Sequence, residues 1–187
     1  MSNLKSLCVY CGSRVGDRPV FKEAARTLGK ACAANGTRLV YGGGKLGLMG
    51  EVASACHEAG GDVFGIIPDF LVELEGVLED VNHTVVTSMH ERKMMMFEES
   101  DAICTLPGGI GTLEEIIELL SWARLDLHRK PLVICNIEGF WTPLVELLHH
   151  VIDRGFAAEE LRDDLVVVDD PLKVLDAAQE RLLRRVV

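Results

Sequence analysis

No apolar run in the 187 residues approaches the roughly 18 that a membrane span requires, so neither a spanning segment nor a membrane partner is expected. A basic face is missing too. Lys and Arg number 19 against 29 Asp and Glu, a formal charge of −10, which argues against a nucleic-acid partner and makes any anion site a local feature. The stretch from Met1 to Ser6 leads straight into a strand-like run, without the basic region, long apolar segment and small-residue cleavage site of an export signal. The six cysteines include no second Cys pair or His pair at zinc spacing, and their scatter through apparent strands and helices fits a reducing, cytoplasmic compartment. Cys8 and Cys11 do form a C-x-x-C. Residues three apart on a strand point to opposite faces, however, so they are read as core thiols and not as a redox or metal pair. No repeat, linker or low-complexity segment is present, and 48% hydrophobic with 26% charged residues is an ordinary globular composition. The expectation is one domain spanning 1–187.

What is present is an alternation of short β-type runs with helix-length amphipathic segments. Strands are expected near Ser6 to Cys11, Thr37 to Tyr41, Asp62 to Ile67, His83 to Val86, Ala102 to Leu106, Leu132 to Asn136 and Leu165 to Val168. Runs such as Ala-Ile-Cys-Thr-Leu lack polar alternation, as strands covered by helices on both faces do. The predicted fold is therefore α/β and Rossmann-like, a parallel sheet of about seven strands. Asn35-Gly36 and Gly60-Gly61 mark helix ends, and Pro171 opens the last helix. In such a sheet ligands bind beyond the carboxyl ends of the strands, which directs attention to Gly12-Ser13, to Gly42 through Gly50, and to Pro107 through Thr112.

Gly42-Gly43-Gly44-Lys45-Leu46-Gly47 fits the G-x-G-x-x-G pattern in which glycine lets a backbone approach a phosphate, and Asp69 stands where a dinucleotide site would place a ribose ligand. The pattern follows the second strand instead of the first, so a turn without a ligand fits as well. Pro107-Gly108-Gly109-Ile110-Gly111-Thr112 joins a buried strand to a helix, where backbone N–H groups and the Thr112 hydroxyl offer a site for a phosphate dianion. It lacks the lysine of a nucleoside-triphosphate loop.

Thr112-Leu113-Glu114-Glu115 also reads as a capping box, in which Glu115 merely bonds back to the helix start. Against that, Leu113, Ile116, Ile117 and Leu120 make one apolar stripe, and Glu115, Leu119 and Trp122 share a second. Glu115 is thus expected to be partly buried beside a phosphate loop, a setting for acid–base or charge-stabilising work. Glu114, Glu118 and Ser121 fall on a polar face. Ser88 through Lys93 reads as the start of a helix whose first turns carry two cations, Arg92 and Lys93, against the helix dipole. Something anionic is expected to compensate; the alternative is that both snorkel to water. Met94 to Met96 read as packing, and His128, His149 and His150 carry no catalytic weight. No Ser/His/Asp set and no metal cluster can be assembled.

Met89-His90-Glu91-Arg92-Lys93, taken with Pro107 through Glu115, resembles the Lonely Guy family, cytokinin-activating phosphoribohydrolases long mislabelled as lysine decarboxylases. Cys8-Val9-Tyr10-Cys11-Gly12-Ser13, Tyr41 through Gly44, Gly47-Leu48-Met49-Gly50 and Gly65-Ile66-Ile67-Pro68 extend the resemblance over nearly the whole chain. It implies hydrolysis of adenine-type nucleoside 5′-monophosphates to free base and ribose 5-phosphate, with no metal or cofactor, in a homodimer. By position it makes Arg92 and Glu115 the catalytic pair. It gives substrate binding to Gly12, Ser13, Gly43, Gly44, Met89, Lys93 and the run Pro107, Gly108, Gly109, Ile110, Gly111, Thr112, Leu113 and Glu114. Glu73 would approach the base, and Ser121 stands where many relatives have threonine. Asp126 and one extra residue between Glu73 and Arg92 depart from the family pattern. The name lysine decarboxylase would need a Schiff-base lysine with a partner for the pyridine nitrogen, and no such pair is identified. A carrier that binds a nucleotide or cofactor on the same fold without catalysis is the rival reading, with an NAD oxidoreductase behind it.

Overall fold

The computed structural model describes residues 4–184; the first three residues of the stretch read for an export signal lie outside it. Seven strands form one sheet: β1 (Ser6–Tyr10), β2 (Arg38–Tyr41), β3 (Val63–Pro68), β4 (Asn82–Val86), β5 (Ala102–Thr105), β6 (Leu132–Cys135) and β7 (Val166–Val168). Every pairing is parallel and the spatial order is β4-β3-β2-β1-β5-β6-β7. All seven expected strands are present within a residue or two. Between them run α1 (Pro19–Asn35), α2 (Gly47–Glu58), α3 (Asp69–Glu75), α4 (Met89–Glu98), α5 (Ile110–Arg124), α6 (Thr142–Asp153) and α7 (Glu160–Asp164), and α8 (Val174–Arg184) closes the described chain.

β1, β5 and β6 are buried along their whole length, which is why their sequences carry no polar alternation. On one face Leu7, Val9 and Cys104 pack under Leu28 of α1, Val52 of α2 and Ala178 of α8. On the other, Cys8, Ile103 and Ile134 pack under Met96 of α4, Ile116 of α5 and Leu148 of α6. Each fully buried Leu, Ile or Val contributes about 1.5–3 kcal/mol. α1 ends where Asn35-Gly36 predicts: Gly36 takes φ 66°, its N–H donates to the Ala33 carbonyl, and Thr37 N–H donates to that of Cys32. Pro171 opens a short 3₁₀ turn that runs directly into α8.

The strand order reverses at β1, where the crossover from β4 returns to lay β5 on the opposite side. The crevice beyond the carboxyl ends of β1 and β5 is the switch point of the sheet, flanked by Gly12-Ser13 and by Pro107 through Gly109. No helix of the described residues is long and apolar enough to cross a membrane.

Candidate active site

Two adjoining cavities occupy that crevice. The first, about 200 Å³, is lined by the end of β1, Gly42, Met49, Glu75, Met89, Arg92, Met96 and the start of α5. The second, about 450 Å³, lies between the Arg14–Asp17 turn, Phe21, Phe140 and Pro107 through Ile110. Gly12, Ser13, Gly109 and Ile110 border both.

Arg92 is 6% exposed on the inner side of α4. Its Nη2 donates to the Gly42 carbonyl at 2.7 Å and its Nε to that of Ile66 at 3.2 Å, so the guanidinium is held by backbone oxygens, with no carboxylate at ion-pair distance among the described residues. The snorkelling alternative is therefore overturned for Arg92. A Cβ on Gly42 would stand 2.0 Å from Nη2, so this glycine makes room for the guanidinium. Gly43, at φ 78°, would strike Ile67, and Gly44 would strike Glu75. Neither lines the first cavity. The first glycine run is thus used on protein groups, and the phosphate-approach reading does not carry over to Gly43 and Gly44. Asp69, the residue a dinucleotide site would require, is exposed, accepts from the N–H of Phe70 at the start of α3, and lines neither cavity.

Of the two cations of α4, Lys93 has the anionic partners expected, whereas Arg92 has backbone carbonyls in their place. Ser88 Oγ accepts from the Glu91 N–H, and the Glu91 carboxylate, in the same first turn, accepts from the N–H and hydroxyl of Thr87. Lys93 bridges Glu114 at 2.6 Å and Glu118 at 2.9 Å. That pairing ties α4 to α5 and leaves Lys93 outside the lining of both cavities.

The N-terminus of α5 is built differently from a capped helix. Gly109 holds the cap position, no side chain caps the helix, and no acidic residue occupies its first turn. Thr112 lies inside the helix and 4% exposed, so Thr112 through Glu115 is not a capping box. Gly108 is required by packing, since a Cβ there would meet the Thr112 hydroxyl at 2.1 Å. Gly109 and Gly111 are not: nothing lies within 4 Å of where their side chains would stand. Bare backbone facing open space at an uncapped helix start is what an anion site consists of. Leu113 is partly buried and lines neither cavity.

Glu115 lines the first cavity and is partly buried, above the buried Ile116 and Leu119. Burial is the largest influence on its carboxyl group and pushes its pKa up to about 7. The Arg92 guanidinium opposes the rise; Glu114 and Glu118 add to it. Ile117, placed by sequence in the apolar stripe, is 46% exposed instead. The stripe turns toward Ile116, Leu119 and Leu120 because α5 packs on β5 and β6 through that side. Trp122 stacks edge-on against Phe97 with ring centroids 5.7 Å apart.

Glu73, expected near the base, is exposed on α3 and lines neither cavity. Two residues on, about 200° around the helix, Glu75 lines the first cavity, and its Oε2 is buried without a hydrogen-bond partner. The sequence carries no signal that separates the two acids, because a seven-residue helix is too short for its periodicity to fix the inward face. Ser121 is likewise exposed and outside both cavities. All six cysteines are free and buried, with thiol pKa values raised by burial, Cys8 and Cys11 included. His128 accepts from the Lys130 N–H at Nδ1 and donates from Nε2 to the Leu119 carbonyl, a structural role.

Known proteins place this geometry in a family. A family model described as a possible lysine decarboxylase matches residues 49–178. The cytokinin riboside 5′-monophosphate phosphoribohydrolase LOG7 of Arabidopsis thaliana is 38% identical over 180 residues, covering 96% of this chain and 83% of the relative. The enzyme LOG of Oryza sativa subsp. japonica, of the same description, is 43% identical over 162 residues, covering 86% and 67%. The fold is shared with the molybdenum cofactor carrier protein of Chlamydomonas reinhardtii at a TM-score of 0.74 and 21% identity, over 97% of this chain and 99% of that one. With Arg92, Glu115 and the uncapped glycine loop of α5 gathered at one switch point, the chain belongs to the Lonely Guy family.

Proposed function

We propose that this protein hydrolyses the N-glycosidic bond of adenosine 5′-monophosphates, including N6-substituted ones such as cytokinin riboside 5′-monophosphates, to free base and ribose 5-phosphate. The observation that carries the reading is a partly buried carboxylate with a pKa raised to about 7, in one cavity with an uncapped helix N-terminus. Relatives 38–43% identical bear the name of this activity. Cleavage of the C1′–N9 bond passes through an oxocarbenium-like ribosyl cation, and a carboxylate beside C1′ stabilises that charge. In its ionised form Glu115 also takes a proton from the water whose oxygen bonds to C1′, while the base leaves with the bonding pair and takes up one proton, balanced by the one that Glu115 gives up again. Arg92, fixed by two carbonyls, presents its remaining edge to the substrate and restrains Glu115 from rising further.

The phosphate dianion belongs on the bare N–H groups after Gly109, where its binding energy goes into orientation. Glu75 takes the role that the resemblance gives to Glu73: its unpartnered oxygen accepts a hydrogen bond from the exocyclic amino group of adenine. In this proposal residues 1–187 act as a single nucleotide-binding domain in the cytoplasm, without metal or cofactor. Two copies associate through the outer side of α5, where Ile117 and Leu125 are exposed and Trp122 is largely committed to Phe97.

The test is incubation of purified protein with AMP, isopentenyladenosine 5′-monophosphate and the corresponding nucleosides, following free base and ribose 5-phosphate by chromatography. Release from the monophosphates, with the nucleosides at least about a hundredfold slower, is the expected result. Binding without release would establish the carrier reading.

A further inference from the structure

The first cavity, at about 200 Å³, is smaller than the about 300 Å³ at which pockets for ligands of nucleotide size begin. A nucleoside monophosphate therefore extends beyond it, and the second cavity shares its walls. Charge decides which end extends. The first cavity presents Glu75, Glu114 and Glu115 against a single cation, Arg92, two of whose donor groups are already used on backbone carbonyls. A phosphate dianion is therefore better placed at the rim, on the N–H groups of the α5 start at Gly109 and Ile110 that both cavities share, than deeper beside Glu75 and Glu115. The second cavity holds one cation, Arg14, and one exposed carboxylate, Asp17. Among the described residues the Arg14 side chain has no hydrogen-bond or ion-pair partner, although most other arginines of the chain are paired with carboxylates.

Its backbone, by contrast, is held firmly. Gly47, at φ 60°, approaches so closely that a Cβ there would stand 2.3 Å from the Arg14 nitrogen, and the Gly12 carbonyl accepts from Leu48 N–H at 2.9 Å. The turn after β1 is thus braced on the start of α2, and its exposed, unpaired Arg14 lines the second cavity, which Gly109 and Ile110 also border. Such a group, on a fixed main chain and with all five donors available, is suited to bidentate capture of a phosphate.

We infer that the 5′-phosphate sits at the junction of the two cavities and that Arg14 closes on it, making Arg14 the residue that separates nucleotides from nucleosides. The inference rests on the reading of the substrate as a nucleoside 5′-monophosphate. It places the base and C1′ in the first cavity, against Glu75 and Glu115, and the phosphate on the side away from the three carboxylates.

The experiment is calorimetric titration of the whole protein with ribose 5-phosphate and with ribose, comparing wild type, Arg14→Ala and Arg14→Lys, alongside turnover of AMP. Arg14→Ala is expected to weaken ribose 5-phosphate at least about tenfold, with Arg14→Lys recovering part of the loss. KM for AMP should rise in parallel while kcat falls by a smaller factor, since the N–H groups of the α5 start still orient the phosphate in the variant. Affinity of Arg14→Ala within about twofold of wild type would overturn the assignment, as would a wild type that binds ribose 5-phosphate no better than ribose. Arg14-dependent binding by a protein that releases no base would keep the phosphate site and remove the hydrolase reading; base release without Arg14 dependence would do the reverse.

Discussion

Replacing Gly42 with alanine puts a methyl group 2.0 Å from Arg92 Nη2 and 3.0 Å from Met49 Sδ. The clash is with the end of a side chain, so the guanidinium moves and the backbone does not. Moving it breaks the 2.7 Å bond to the Gly42 carbonyl, a charge-assisted hydrogen bond of about 1.5–3 kcal/mol, inside a site where Arg92 is only 6% exposed. For a chain of this length that lowers the melting temperature by about 3–12 °C without preventing folding. If Arg92 acts from this position, the same displacement lowers kcat/KM by about 10- to 150-fold. The decisive assay is a double-mutant cycle on kcat/KM with AMP. Gly42→Ala acts through Arg92, so Gly42→Ala with Arg92→Ala should be no slower than Arg92→Ala alone. Multiplying effects in the double variant, or full activity in Gly42→Ala, would refute the coupling.

Other substitutions separate stability from binding. Gly111→Ala introduces a better helix former into open space on α5, so the protein should melt slightly higher, by about 0.5–1 kcal/mol, yet bind AMP more weakly by calorimetry. Gly108→Ala, which meets the Thr112 hydroxyl, should instead lower stability by about 1–3 kcal/mol in urea titration. Glu75→Gln should reduce the preference for AMP over IMP in kcat/KM by about tenfold or more, because the acceptor for the 6-amino group is half replaced by a donor; unchanged preference would remove Glu75 from base recognition. Glu115 also links stability to pH. Its pKa is raised on folding, so its contribution is full below about pH 4.5 and is lost as pH rises through about 7. Glu115→Gln should therefore be more stable than wild type by about 2–3 kcal/mol at pH 8 and nearly equal to it at pH 4.5, measured by denaturant titration.

The sheet was legible in the sequence because parallel strands covered on both faces leave short continuous apolar runs, as in Leu132 to Cys135, and glycines such as Gly36 mark the intervening helix ends. The glycine loop before α5 and the partial burial of Glu115 were legible from local pattern too. What was not legible depends on long-range placement. Gly42 takes its meaning from a side chain 50 residues away, and Lys93 finds its counter-ions more than 20 residues on. The choice between Glu73 and Glu75 turns on the rotation of a seven-residue helix, too short for its own periodicity to fix which face is inward. Thr112 to Glu115 misled in the opposite sense: the capping pattern is genuine as a string, but α5 begins two residues before Thr112, so tertiary packing places that hydroxyl inside the helix.

The central claim, that Glu115 in its ionised form drives glycosidic cleavage, is tested most directly by the pH–rate profile of AMP hydrolysis for wild type and Glu115→Gln, with nucleotide affinity measured in parallel. The account predicts a wild-type kcat that falls as pH drops through about 7 and a variant that binds AMP but hydrolyses it at least about a hundredfold more slowly, with that limb of the profile gone. A folded Glu115→Gln that keeps wild-type rates and the same pH dependence would contradict it.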